Sequence, residues 1–178
     1  MNHQILFRNK IWQLFVAVTA LLIIATAGYA ETQQVSFTPE NVVALSNESL
    51  TFQLIYNVEG MKEKTTGIGI RIHYDSTVVD TITLTDVYGE GVVGADNIPQ
   101  EDTGDFDSDA STDKYIVVAW AGISGKWPTF VSLPGTIATV NIVVKKDAPN
   151  RESKMNITSA GNASGYDFSG KSALILVQ

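Results

Sequence analysis

The chain has 178 residues, with 12 Lys and Arg against 19 Asp and Glu, a formal charge of −7, and no cysteine. An acidic surface repels phosphate backbones and anionic lipid headgroups, which argues against nucleic-acid and membrane-surface binding. Without cysteine there are no disulfides, no Cys–His chemistry and no lipobox anchor, so packing has to hold the fold.

Residues 1–30 carry the pattern of a secretory signal peptide. Arg8 and Lys10 form a basic start, Leu14 to Ala27 is an uncharged apolar core, and Gly28 and Ala30 place small residues before a cut after Ala30. The apolar run is shorter than the roughly 20 residues a spanning helix needs, so cleavage is expected rather than stable membrane insertion. Ala25-Thr26-Ala27 offers a second cut three residues earlier. Cleavage after Ala30 leaves 10 basic against 19 acidic residues, a formal charge of −9. Residues 31–178 then suit one domain with a real core, expected in the periplasm, at the cell surface or outside the cell.

Along that domain, apolar and polar residues alternate at period two, the mark of antiparallel strands with one buried face. The predicted strands are Val35–Phe37, Leu50–Val58, Gly67–Tyr74, Thr81–Val87, Lys114–Trp120, Thr129–Leu133, Thr136–Val144, Lys154–Ser159 and Ser172–Val177. The alternation is clearest in Phe52, Leu54, Tyr56 and Val58, in Ile68, Ile70, Ile72 and Tyr74, and in Ala138, Val140, Ile142 and Val144. Turn signals separate the runs, as at Tyr88 to Gly91, Ser124 to Lys126 and Asp147 to Asn150. No stretch of helical period interrupts them. The prediction is an all-β fold, a β-sandwich of jelly-roll type with about nine strands.

An acidic loop, taken as residues 96–113, precedes the Lys114–Trp120 strand. Asp102, Asp105, Asp107, Asp109 and Asp113 crowd into twelve residues with no cation among them; Asp96 and Glu101 adjoin. Asp105, Asp107, Asp109, Ser111 and Asp113 place side-chain oxygens at every second position. Calcium takes 6–8 oxygen ligands, and mutual repulsion of the carboxylates favours a bound cation, so these five aspartates are the candidate Ca2+ ligands. The pattern is not that of an EF-hand: Ala110 stands at the glycine position and Ile116 at the bidentate glutamate position.

The other candidate chemistry is aromatic. Trp120 continues the buried face of its strand. Trp127 follows a turn and is either borne on an exposed loop or folded back as a lid on the sandwich edge. With Tyr88 it forms the candidate ligand platform, for sugar rings or for a protein anchor. Tyr115, Phe106 and Phe130 are further aromatics. His73, the one histidine after residue 30, is expected to be an exposed strand residue. No nucleophile-elbow motif accompanies it, so catalysis is not expected.

The stretch Thr66–Asp80, an alternating strand leading to Tyr74-Asp75, a short turn and an apolar pair, resembles the third-strand region of cohesin modules. Gly135–Val144 resembles a later strand of the same family, and Val35–Pro39 with Leu50–Leu54 resembles its opening strands. The resemblance covers most of residues 33–178. It implies a nine-stranded jelly roll shared with related carbohydrate-binding modules. The Asp-rich insertion and the Val117–Gly122 run depart from classical cellulosomal modules and look more like a divergent cohesin-like group of exported bacterial proteins. The functions so implied are non-catalytic recognition of a protein partner, dockerin-like or part of an envelope or extracellular assembly, or alternatively recognition of a polysaccharide through exposed aromatics.

Overall fold

The computed structural model describes residues 31–60, 62–129 and 132–178; residues 1–30, expected to be a signal peptide, lie outside the described residues. Eleven strands follow one another: β1 (Glu31–Thr38), β2 (Asn41–Ala44), β3 (Ser49–Glu59), β4 (Gly67–Tyr74), β5 (Val79–Thr85), β6 (Val92–Glu101), β7 (Lys114–Ala121), β8 (Gly135–Val144), β9 (Glu152–Gly161), β10 (Tyr166–Gly170) and β11 (Ala173–Val177). They form a five-stranded sheet, β10-β1-β3-β8-β5, and a six-stranded sheet, β2-β11-β9-β4-β7-β6. Neighbours pair antiparallel except β1 with β10 and β2 with β11, which are parallel. This is the expected jelly-roll sandwich, with eleven strands where about nine were predicted.

The inner faces are the ones the alternation marked. Phe37, Phe52, Leu54, Tyr56, Val140 and Ile142 from one sheet meet Ile68, Ile70, Ile72, Ile116, Val118, Met155 and Ile175 from the other, all essentially inaccessible to solvent. Burial of this apolar surface is the driving force of the fold. The Tyr74-Asp75 step starts the turn into β5. Asp75, itself buried, accepts hydrogen bonds from Thr77 N at 2.8 Å and Thr77 Oγ1 at 2.6 Å, and pairs with Arg151.

Three strands carried no sequence signal. β2 and β10 are four and five residues long. β6 is exposed along its whole length, so neither face needs to be apolar, and its register shifts between Asp96 and Gln100 around Pro99. Because Asp96 and Glu101 belong to β6, the acidic loop starts at Asp102 rather than at Asp96. The predicted strand Thr129–Leu133 is not among the eleven, and residues 130 and 131, Phe130 included, lie outside the described ones.

The largest correction concerns Trp127, which is 1 % exposed. Its backbone bridges Thr65 in both directions, Thr65 N to Trp127 O at 2.7 Å and Trp127 N to Thr65 O at 3.1 Å. The indole Nε1 donates to the Glu90 carbonyl at 3.0 Å. Its ring lies 4.8 Å from that of Tyr56 and 5.8 Å from that of Trp120, closing the end of the sandwich. Beside it Gly67, at φ +118°, brings its backbone so close to β7 that a Cβ would fall 2.1 Å from the Trp120 carbonyl oxygen. Buried Gln33 completes this end, with Nε2 donating to Tyr56 Oη at 2.8 Å and Oε1 accepting from Ala163 N at 2.8 Å. Trp127 is therefore a structural plug, not a ligand platform. Trp127→Ala is expected to lower unfolding free energy by about 3–5 kcal/mol, read by chemical denaturation; a change below about 1 kcal/mol would contradict the plug.

Candidate functional site

β6 and β7 form a hairpin whose tip is the acidic segment 102–113. The tip is closed at its base by Asp102 N donating to Asp113 O at 2.8 Å. It does not extend away from the sandwich. It lies back over the outer face of the six-stranded sheet, where β7, β4 and β9 run side by side.

Period two puts Arg71 and His73 of β4 on that outer face, opposite Ile70 and Ile72. His73 was expected to be exposed there; instead it is fully buried, because the acidic segment covers it. Its Nδ1 lies 2.8 Å from Asp102 Oδ2 and 3.9 Å from Asp107 Oδ2, and its Nε2 lies 2.8 Å from Thr158 Oγ1 on β9. Asn156, also on β9, donates through Nδ2 to Asp107 Oδ2 at 2.8 Å and to Asp109 Oδ2 at 3.2 Å, while its Oδ1 accepts from Ser172 Oγ at 2.6 Å. Thr112 Oγ1 adds a second donor to Asp107 Oδ2 at 2.6 Å. Charge repulsion within the loop is thus offset largely by neutral donors and one imidazole supplied by the sheet.

The five aspartates proposed as calcium ligands are distributed, not gathered. No three of them come within 4.8 Å of one another; the group that does is His73, Asp102 and Asp107. Asp113 turns to β4–β5, accepting from Ser76 N at 2.7 Å and Ser76 Oγ at 2.6 Å. Burial works against its ionisation, and the Ser76 hydrogen bonds outweigh it, leaving the carboxyl below the ordinary range. Asp109 is also lowered, first by the hydroxyl and backbone N–H of Ser111 and further by Asn156 and Lys154. Asp105 is exposed at the tip, in a left-handed conformation at φ 45°. Burial, then the carboxylates of Asp113 and Glu101, push the Tyr74 hydroxyl up to about 12.

One aromatic of the loop stays accessible. Phe106 is 49 % exposed, with the Arg71 guanidinium 4.2 Å from its centroid and the Tyr115 ring edge-on at 5.9 Å. Tyr88, the second platform residue expected, is half-buried. Its hydroxyl bonds Glu90 Oε2 at 2.9 Å and Thr129 Oγ1 at 2.6 Å, and its ring packs 6.4 Å from Trp127.

Thr158, His73 and Asp102 follow the order of a hydroxyl–imidazole–carboxylate triad. The surrounding charge has the wrong sign for such chemistry. Asp107 and Asp109 flank the same strand pair, and an oxyanion formed beside them would be destabilised instead of stabilised. The chain of contacts orients the imidazole and fixes the loop to the sheet.

No family model matches the chain, and no curated protein matches it in sequence. Solved structures do match. The sixth cohesin of scaffoldin B from Acetivibrio cellulolyticus, solved in complex with a dockerin, superposes with a TM-score of 0.52 at 12 % identity, covering 83 % of this chain and 99 % of that one. A type I cohesin solved with its dockerin from Clostridium thermocellum gives 0.51 at 16 % identity, with coverage of 83 % and 99 %. The fold is that of a cohesin module. The resemblance read from Thr66–Asp80 and Gly135–Val144 holds at the level of fold: those stretches are β4 with its turn into β5, and β8 at the centre of the five-stranded sheet. Within the cohesin-like domain, Asn156 is the donor that the two central loop carboxylates share. Asn156→Ala is expected to cost about 1–3 kcal/mol and to speed amide hydrogen exchange across residues 103–112; unchanged exchange would mean that the loop is held without it.

Proposed function

We propose that this cohesin-like domain is an exported, non-catalytic protein-binding module, whose partner docks on the outer face of the six-stranded sheet around Phe106. The observation that carries this reading is the pairing of a cohesin fold with one accessible aromatic, Phe106, held by Arg71 and Tyr115 over the outer face of the six-stranded sheet. The two solved cohesins named above were each captured with a dockerin, so a dockerin-like module or another component of an envelope or extracellular assembly is the class of partner proposed.

The chemistry of the face narrows the partner further. Phe106 is fixed by Arg71 and Tyr115, so little side-chain freedom is lost when it is covered, as suits an interface anchor. Asp105, the residue before it, is exposed, which suits a partner presenting an apolar pocket rimmed by lysine or arginine. The polysaccharide reading lacks such support. Trp127 is buried, Tyr88 is held by Glu90 and Thr129, and Phe106 is the one aromatic among the exposed large apolar residues described.

The test compares wild type with Phe106→Ala, both immobilised and exposed to the secreted and envelope proteins of the source organism. A discrete protein should be retained by the wild type, with affinity reduced about 30-fold by the substitution, the scale of a hot-spot loss. Equal retention by the variant would move the docking face elsewhere. Retention on insoluble polysaccharide with no retained protein would overturn the reading.

A further inference from the structure

We propose that His73, Asp102 and Asp107 form a binding site for a divalent transition-metal ion of the zinc class, seated between the acidic loop and the sheet. The three ligands come from β4, the loop base and the loop centre. One ligand atom from each lies within 4.8 Å of the others. His73 Nδ1 stands 2.8 Å from the Asp102 oxygen and 3.9 Å from the Asp107 oxygen, a spread that brackets the separation of roughly 3.3 Å between adjacent ligands of a tetrahedral ion with bonds near 2.0 Å.

The nitrogen decides the class of ion. Calcium and magnesium take oxygen ligands, whereas imidazole with carboxylates suits zinc and its first-row neighbours. Charge points the same way. The side chains of His73, Asp102 and Asp107 are 0 %, 0 % and 2 % exposed, and two carboxylates face one imidazole. Even a protonated ring leaves one negative charge over. Among the described residues, no Lys or Arg nitrogen lies within 4.0 Å of Asp102 or Asp107, since Lys154 approaches Asp109 instead. Buried carboxylates in such surroundings are paired or coordinate a metal.

The supporting groups are those a metal site needs. Thr158 Oγ1 holds the ring by its far nitrogen, Nε2, which leaves Nδ1 facing the carboxylates. Asp107 Oδ2 accepts from Thr112 Oγ1 and Asn156 Nδ2, donors that an ion on this oxygen would share or displace, and Asp102 Oδ1 accepts from Phe106 N at 3.2 Å. An open polar cleft of about 520 Å³ lies on the Asp107 side of the cluster, lined in part by Asp107, Asn156 and Thr158, while the His73 and Asp102 side chains are closed off from solvent. Metal binding here requires no partner on Phe106, although the Phe106 N–H and the ligand Asp102 are hydrogen-bonded.

The experiment uses the purified protein without a histidine tag, titrated calorimetrically with Zn2+ alone, then with Co2+ alone while visible absorption is recorded. One ion per chain is expected, with Co2+ bands of a four- or five-coordinate nitrogen–oxygen site. Ca2+ should bind at least 100-fold more weakly than Zn2+. His73→Gln and, separately, the near-isosteric Asp107→Asn should each weaken Zn2+ binding at least tenfold, with near-ultraviolet circular dichroism reporting that the fold is kept. The Asp107→Asn result keeps the test decisive should His73→Gln fail to fold. Absence of saturable Zn2+ binding below millimolar concentration would overturn the proposal. So would a folded variant that binds as wild type does, since the ion would then sit at an adventitious surface site, and so would Ca2+ binding equal to that of Zn2+.

Discussion

A segment with five carboxylates and no cation of its own can lie flat on a β-sheet only where the sheet supplies the compensating donors, and here the contact between His73 and Asp102 is the point on which that depends. His73 sits on β4, inside the six-stranded sheet, and its two ring nitrogens reach the loop on one side and Thr158 of β9 on the other. With Asp102 so anchored and its backbone closed on Asp113, the rest of the tip has little choice of position. Asp107 and Asp109 fall onto Asn156, and Phe106 onto Arg71. Truncating His73 would leave Asp102 desolvated and unpaired, a larger penalty than the net worth of the hydrogen bond itself.

The cohesin-like sandwich separates two tasks. Its inner faces hold the fold through apolar packing, and Gln33, the buried polar residue at one end, has its amide satisfied on both sides. The outer face of the six-stranded sheet carries a third, partial layer built from the hairpin tip. That layer adds polar chemistry to a flat surface without disturbing the core beneath, because the strands under it present their apolar side chains inward.

What could be read from the sequence follows this division. Period-two alternation identified β3, β4, β7 and β8 almost to the residue, because each has one face in the core. The same rule could not see β6, whose two faces are both in water. For His73 the alternation assigned the side correctly, away from the Ile68–Ile70–Ile72 face, but a period along one strand says nothing about a loop that begins 29 residues later covering that side. Trp127 was misplaced for a related reason. Its local context is a turn, and what buries it is a bridge to Thr65, 62 positions earlier. The spacing of the aspartates showed correctly that the loop needs compensation; the source of the donors, β4 and β9, is tertiary information.

The outer strands have a consequence for how such a chain survives at high density. An open sheet edge is a template on which another chain can grow, and a protein without disulfides has no covalent means of preventing it. Here β2 and β10 are too short to template much, and β5 is irregular between Val79 and Thr81 beside the exposed Asp80. The one long edge, β6, is broken by Pro99, which has no N–H to offer, and bears Asp96 and Glu101 along it. For crowded copies, the shortness of β2 and β10 and the break and charges of β6 work against strand addition at these edges.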